Sequence, residues 1–579
     1  MQAPAPDPPP RARRGRGIGT LLDLPSRRDL PRDVLAGLTV GAAQIGNSMA
    51  YTMLAGIPPV HGLYGVMAGA PTGALASSSE RMSIVPTAAL SLAAGSALLA
   101  LPPERRVAGM LMLAVLTGLV MLAAGLLRAG GLVRFISNAV MVGFMAGISI
   151  TILCGQLAAL TGFASLYDNK VAKAADTLVH LGSADLPTLV VGVLTVALVL
   201  VLRRTRLRLF AMAIALGVFT VVVAALDLTS VAVVGDIAPI PRSLPVPELP
   251  DIALAPALLI PAVSLTIIGL IQGAGISRTV PNPDGSYGDP SRDFAGQGIA
   301  NLFSGCFGGG IVGGSIQATA LDLAAGARTR WSSVVAGVFV VVVILVAAPL
   351  VQQVPLAVTA GILIVAASSA LRPRAMLEVW RADRTSAGVM LATLVLVLVV
   401  PLQYAVLIGA ALAVVKHIYL SSLDVHVKQV VLDGDGLPRE AEAPDRLASD
   451  DVVVLDIYGS LFYAAAPRIR DCLPSVGEAH CPVVVLRLRG RGNLHSATIA
   501  VLREYAVECA ARGGRMYLAG VGAEIEEQLQ RTGVLELLGQ DGIVAATDEL
   551  YGACVTAQQR GRSWLSTRSG DRTPGPTAV

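Results

Sequence analysis

From Val34 to Val415 the chain is a succession of apolar runs with no Asp, Glu, Lys or Arg inside them, and this limits the fold more than any other feature. The clearest are Val34 to Ile57, Met110 to Leu127, Ile136 to Phe163, Leu189 to Leu202, Leu209 to Leu226, Ala253 to Ile276 and Val334 to Leu350. A hydrocarbon core about 30 Å thick is crossed by roughly 20 residues of straight helix, so these runs predict a polytopic α-helical membrane protein. Only 15% of the residues are charged, against about 25% in soluble chains. Shorter or Gly/Pro-broken runs occupy Gly62 to Ser79, Met82 to Leu101, Phe294 to Phe307 and Val354 to Leu371, while Thr385 to Val415 is long enough for two short spans divided at Pro401. The count is 12 to 14 crossings, with fourteen preferred.

One stretch, GGGIVGGSIQATALDLAAGA at Gly308 to Ala327, is apolar enough for a membrane but too glycine-rich for an uninterrupted helix. A helical pattern starts only at about Ser315, so the helix begins inside the bilayer. Irregular backbone at that depth must be buried in protein or line a cavity, and a helix N-terminus there aims unpaired N–H groups and partial positive charge into that cavity. The stretch is therefore an expected anion site. A faint echo lies earlier, where SIVPTAALSL at Ser83 to Leu92 matches SIQATALDLA at Ser315 to Ala324 in Ser-Ile and Thr-Ala. Two broken segments at corresponding places suit inverted repeats, and Pro86 suits the first turn of the earlier half-helix.

Lys and Arg set the expected orientation. Linkers with Arg128 and Arg134, with Arg203, Arg204, Arg206 and Arg208, with Arg328 and Arg330, and with Arg372, Arg374, Arg381 and Arg384 belong in the cytoplasm, and fourteen spans with the N-terminus inside put them there. Arg105 and Arg106 fall outside as the exception. Both termini are then cytoplasmic, and the net charge of +4 reflects topology, not nucleic-acid binding. Residues 1–32 are proline-rich and basic, which predicts a disordered arm beside anionic lipid, without a cleavable signal.

Beyond about Leu423 the pattern changes. DVVVLDIYGSLFYAAAPRIRDCL and CPVVVLRLRG give buried strands, MYLAGV another, and SATIAVLREYAVECAARG and IEEQLQRTGVLELLG give amphipathic helices. This predicts a soluble cytoplasmic α/β domain at 430–555, with a disordered tail at 556–579, after a transmembrane region at 33–424. Six cysteines, at 154, 306, 472, 481, 509 and 554, form no metal-like pair of pairs and read as free thiols. No HExxH, P-loop or nucleophile-elbow motif is present, so no enzyme is indicated and no cofactor is called for.

DVLAGLTVGAAQIGNSMAYTMLAGIPPVHGLY at Asp33 to Tyr64, SSSERMSIVPTAALSL, GQGIANLFSGCFGG and DLAAGART resemble the SulP family of anion transporters, which includes prestin, and LDIYGSLFYAAAPRIRD with the segments after VVVLRLRG resembles a STAS domain. The resemblance implies fourteen spans in two inverted seven-span repeats, divided into core and gate, working by an elevator-like movement in the plasma (inner) membrane, as a homodimer. It implies an anion substrate of the sulfate, bicarbonate, chloride or dicarboxylate class and a cytoplasmic protein partner for the STAS domain. Carried over by position, the substrate site comprises Asn47, Tyr51, Pro86, Thr87 and Ala88, with Gln272, Ser315, Ile316, Gln317 and Ala318, the backbone N–H groups of the last three cradling the anion.

The departures matter as much. Gln272 stands where many relatives have an acid that helps bind Na⁺ or H⁺. Its amide cannot be deprotonated, so it reads as an interhelical hydrogen bond before a sodium ligand. Ala318 stands where relatives carry Arg, which leaves attraction to helix ends and neutral polar groups. Asp322, an acid within a span, is a functional suspect by default, with pairing to Arg328 or Arg330 as the plainer role. Asn138 and Gln156 read as packing hydrogen bonds, and His61 as a surface or packing residue. Ser496 lies near the position phosphorylated in STAS relatives, with His495 in place of the expected Asp, and serves equally as a helix N-cap. A channel-like or non-transporting scaffold with a regulatory STAS domain is the alternative function, and a nucleobase permease a third.

Overall fold

A computed structural model describes residues 25–131, 137–167, 169–432 and 437–570. The chain divides into two compact units at Ala413/Val414. In the first, α1 (Leu30–Leu54), α2 (Val60–Ala76), β1 (Ile84–Val85), α3 (Ala88–Leu98), α4 (Arg106–Leu126), α5 (Asn138–Thr161), α6 (Lys170–Val179), α7 (Leu186–Leu202) and α8 (Ala211–Ala225) precede the short α9 (Val234–Ile237). Then come α10 (Ala255–Thr279), α11 (Pro290–Cys306), β2 (Gly313–Gly314), α12 (Ile316–Ala324), α13 (Trp331–Gln352), α14 (Leu356–Ala370), α15 (Pro373–Ala382), α16 (Arg384–Val399) and α17 (Leu402–Leu423).

The two halves follow one plan. The opening helices have 25 and 17 residues in both, each half then has a two-residue strand and a half-helix of 11 or 9, and the next helix has 21 or 22. Later in each half lies a ten-residue amphipathic helix, α6 or α15. Setting these two and the four-residue α9 aside leaves, among the described residues, seven helices per half, as the inverted-repeat reading predicts. Among the described residues six helices are long and apolar enough to cross a membrane by length and composition, and others are shorter apolar helices. Pro401 does divide the ambiguous run, because α16 ends at Val399 and α17 starts at Leu402.

Helices α1, α2, α4, α10, α11 and α13 pack as one group, and α5, α7, α14 and α16 as another. Small residues set the closest approach. A Cβ on Gly118 of α4 would stand 2.8 Å from the Gly298 carbonyl of α11, so the two backbones touch where helix association without a hydrophobic driving force needs it. Two buried acids fasten the connections. Asp33 accepts from the Arg328 and Thr329 amides and the Thr329 hydroxyl at 2.6–3.1 Å. Asp293 accepts from the Ser78 amide and hydroxyl and the Ser79 amide, each at 2.7 Å, from Ser277 Oγ at 2.6 Å, and from Ser79 Oγ. Neither acid stands out in the sequence.

The second unit holds β3 (His426–Val431), β4 (Arg439–Glu442), β5 (Val452–Tyr458), α18 (Ala466–Cys472), β6 (Val483–Arg487), α19 (Ser496–Ala511), β7 (Arg515–Val521), α20 (Ala523–Arg531), α21 (Val534–Leu538), β8 (Ile543–Ala545) and α22 (Gly552–Gly570). The sheet order is β4-β3-β5-β6-β7-β8, with β5 to β8 parallel and β3 antiparallel to both neighbours. Alternation decides the faces: Leu455, Leu486 and Leu518 pack beneath α18 to α21, while Val454, Val485 and Tyr517 point the other way.

That second face corrects the expected tail. Residues 556–570 are not disordered but belong to α22, whose Ala553, Cys554 and Ala557 cover Val454, Val485 and Tyr517. Gly561 lets it approach the sheet, since a Cβ there would stand 2.8 Å from Val483. A composition rich in Ser, Arg and Gly hid a helix whose stability comes from packing. β3 begins at His426, ahead of the expected lower boundary at 430, and neither it nor β4 was expected as a strand. α17 ends at Leu423, beside the expected end of the transmembrane region at 424, and the division between the two units falls within it. The arm at residues 1–24, the end of the tail at 571–579, and Arg134 lie outside the described residues.

Replacing Asp293 by Ala would strand several buried donors. We expect Asp293→Ala to lower the stability of the detergent-solubilised protein by about 3 kcal/mol or more, read as a drop in thermal midpoint, with Asp293→Asn losing less.

Candidate functional site

The broken stretch is held by pairing that the membrane makes obligatory. β1 and β2 pair antiparallel, Ile84 opposite Gly314 and Val85 opposite Gly313. The neighbouring Ser315 amide donates to Ser83 O at 2.9 Å, and the Ser83 amide donates to Thr319 Oγ1 at 3.1 Å. On the other side, a polar stripe on α11 reads the glycine backbone. Gln297 Oε1 accepts from the Gly314 amide at 3.0 Å, Asn301 both accepts from and donates to Val312 at 2.9 and 2.7 Å, and Ser304 Oγ donates to Gly310 O at 2.5 Å. His61 adds a contact of 2.6 Å from Nδ1 to Gly308 O, and so serves this segment. The i, i+4, i+7 spacing of Gln297, Asn301 and Ser304 in an apolar helix was the signal that could have found them.

Each half-helix starts with a hydroxyl cap. Thr87 Oγ1 accepts from the Leu90 amide at 3.4 Å and Ser315 Oγ from the Ala318 amide at 3.2 Å. Pro86 therefore precedes the N-cap and is not in the first turn. The caps satisfy one N–H each. Among the described residues the amides of Ala88, Ala89, Ile316 and Gln317 donate to no protein acceptor, and all four residues line one cavity of about 320 Å³. Two helix dipoles thus converge with four free donors.

The remaining walls are Tyr51 of α1, Gln272 of α10, Asn138, Met141, Met145 and Ser149 of α5, and Leu363, Ala366 and Ser369 of α14. The cavity consequently lies between the two helix groups. Tyr51 Oη donates to Gln317 Oε1 at 3.2 Å, and Gln317 Nε2 donates to Ala366 O at 3.3 Å. Thr87 Oγ1 donates to Gln272 Oε1 at 3.2 Å, so Gln272 orients the hydroxyl that caps α3. Among the described residues no Asp or Glu lines it. Arg372, placed in a linker by sequence reading, lines the cavity, and Arg203 donates to Ser369 Oγ at 2.7 Å beside it.

Of the expected residues, Tyr51, Thr87, Ala88, Gln272, Ser315, Ile316 and Gln317 meet at the cavity. Asn47, Pro86 and Ala318 do not line it. Asn47 is buried within α1, and the Ala318 amide is occupied by the Ser315 cap. Asn138, read as a packing residue, does line it, whereas Gln156 does not. Asp322 is buried and accepts from Ser332 Oγ at 2.7 Å, while Arg330 donates to the Ala74 carbonyl at 3.2 Å. In the second unit Ser496 is the first residue of α19, and His495 holds the N-cap position expected for Ser496. Ser496 borders a shallow pocket with Arg503, Gln528 and Arg531.

Residues 30–393 match the sulfate permease family and residues 443–549 match the STAS domain. The "Probable sulfate transporter" of Mycobacterium tuberculosis is 29% identical over 537 residues, covering 89% of this chain and 94% of that protein. The chloroplastic sulfate transporter 4.1 of Arabidopsis thaliana is 24% identical over 554 residues, covering 90% and 80%. The solved structure of SLC26A9 has the same fold with a TM-score of 0.82, covering 95% of this chain and 93% of that one at 18% identity. The transmembrane domain of the cyanobacterial bicarbonate transporter BicA gives a TM-score of 0.56 at 26% identity, covering 67% and 98%.

Asn301 meets both polar groups of Val312, so Asn301→Leu leaves an amide and a carbonyl unpaired in a dry interior. A loss of about 2 kcal/mol or more is expected, together with loss of anion binding, measured by thermal shift and by tracer binding in detergent.

Proposed function

The chain belongs to the sulfate permease family, and from that premise we propose that this anion transporter is a secondary carrier whose substrate is held between the N-termini of α3 and α12. The observation that carries this reading is that Ala88, Ala89, Ile316 and Gln317, whose amides have no protein acceptor among the described residues, all line one cavity. Each helix end contributes about 0.3–1 kcal/mol toward an anion when exposed and up to about 2 when partly buried. With no ionised side chain at Gln272 or Ala318, that field is modest. It fits a weakly hydrated monovalent anion, chloride or bicarbonate, better than sulfate or a dicarboxylate, which lose more hydration on entry. Arg372 supplies long-range attraction at the cavity.

The cavity lies between two helix groups, which suits an elevator-like displacement of one against the other. Because Gln272 accepts the Thr87 hydroxyl, the reading gives it no coupling role, so neither Na⁺ nor H⁺ is required as a coupling ion. We further infer a homodimer in the lipid of the plasma membrane, both termini cytoplasmic, with a cytoplasmic protein partner for the STAS domain. Family membership makes the chain a transporter and not an enzyme. The neutral side chains at Gln272 and Ala318 favour one second reading, a channel-like or non-transporting scaffold.

Uptake by proteoliposomes, with chloride, bicarbonate, nitrate, sulfate and fumarate each tried, is expected to be fastest for a monovalent anion, and absence of flux in folded protein would overturn the carrier reading. Ile316→Pro tests the backbone donor: proline is tolerated at the first helical position but removes the N–H, so at least about tenfold weaker anion binding with an unchanged melt is expected. Gln272→Ala is expected to leave sodium dependence of uptake unaltered. Arg372→Gln should raise KM several-fold at low ionic strength and much less at high salt, with kcat retained.

A further inference from the structure

Outside the transport cavity, one cluster combines three chemically different metal-binding side chains. Asp450 ends the loop before β5, and His480 and Cys481 end the loop before the adjacent parallel strand β6. The candidate ligand atoms of the three all lie within 4.8 Å of one another, and His480 Nδ1 stands 3.6 Å from Asp450 Oδ1. Around a tetrahedral zinc ion with its usual bond lengths, ligand atoms sit roughly 3.3–3.6 Å apart, so small side-chain rotations complete the arrangement.

The surroundings hold the donors in place. The Asp450 amide donates to His480 O at 2.8 Å, the His480 amide to Ser449 Oγ at 2.9 Å, and the Cys481 amide to Arg512 O at 3.1 Å. Asp450 and Cys481 have φ of 54° and 46°, left-handed values that non-glycine residues adopt at a cost. Cys481 is buried, while the Asp450 and His480 side chains are half exposed, which leaves the open side to solvent and a fourth, water ligand. Arg568 Nη1 lies 4.0 Å from Cys481 Sγ and donates to Gly513 O at 2.7 Å, so a cation supports the sulfur from the outer side.

We propose that Asp450, His480 and Cys481 form a divalent-metal site of the STAS domain, selective for zinc. Mixed carboxylate, imidazole and thiolate donors suit this borderline-soft ion, whereas magnesium and calcium require oxygen ligands. Binding takes the Cys481 sulfur as thiolate and releases its proton to solvent, with neutral His480 contributing Nδ1. The ion fastens the loops that precede β5 and β6, and through Arg568 it borders the end of α22.

The test uses the full-length protein in detergent, freed of metal by chelator and kept reduced, titrated with Co²⁺ and then Zn²⁺. One equivalent of Co²⁺ is expected to give thiolate-to-cobalt charge transfer in the near ultraviolet and the visible bands of a four-coordinate ion, both erased by Zn²⁺. Cys481→Ser should remove the charge-transfer band while sparing the Asp450–His480 contact. His480→Ala, at an exposed position, should weaken binding at least about tenfold. Zinc should raise the unfolding midpoint of the wild type but not of His480→Ala. Absence of both bands, or bands of equal intensity in Cys481→Ser, would overturn the proposal.

Discussion

The membrane leaves no backbone polar group free to remain unpaired, and the transport unit is arranged around that constraint. Two chain segments leave the helical form in each other's presence, and the short β1–β2 pairing lets each satisfy part of the other. Where the second segment is too glycine-rich to pair fully, Gln297, Asn301 and Ser304 complete the hydrogen bonding from α11. Among the described residues, the first two amides of each half-helix are then left without a protein acceptor. The same rule that forbids loose backbone therefore concentrates donors at one place.

Attraction at such a place is diffuse. Helix ends and amides offer partial charges, and a polar side chain such as Gln317 is already engaged by Tyr51 and by the Ala366 carbonyl. Gln272 is engaged by Thr87. These side chains hold the helix ends in position while the backbone meets the substrate. A site of this kind places little charge against the anion, and arginines at the cavity walls and beyond act at longer range.

The STAS unit shows the same dependence on context in water. Its strand runs were legible because alternating apolar residues bury on two faces, but the cover for one face was not. Ala553, Cys554 and Ala557 are small and unremarkable as sequence, and Gly561 would normally weaken a helix. Against Val483 and Tyr517 the same small residues are what allow close packing. Likewise β4 has four exposed residues and no apolar alternation, so only its partner β3 makes it a strand.

By itself the sequence determined the membrane class, the succession of apolar helices, the onset of α12 next to Ser315 and the α/β character of the C-terminal unit. Those properties follow from hydrophobicity and backbone preference, which act locally. Which residues meet at the cavity was decided by tertiary structure. Asn47 is not among its lining residues, Asn138 reaches it from the start of α5 and Arg372 from the connection between α14 and α15, and the Ala318 amide is taken by a neighbouring hydroxyl. The Asp293 cluster and the pairing of Asp450 with His480 and Cys481 likewise join residues distant in the chain. Hydrogen bonds and cavities depend on ångström-scale juxtaposition across elements, and no local pattern encodes that.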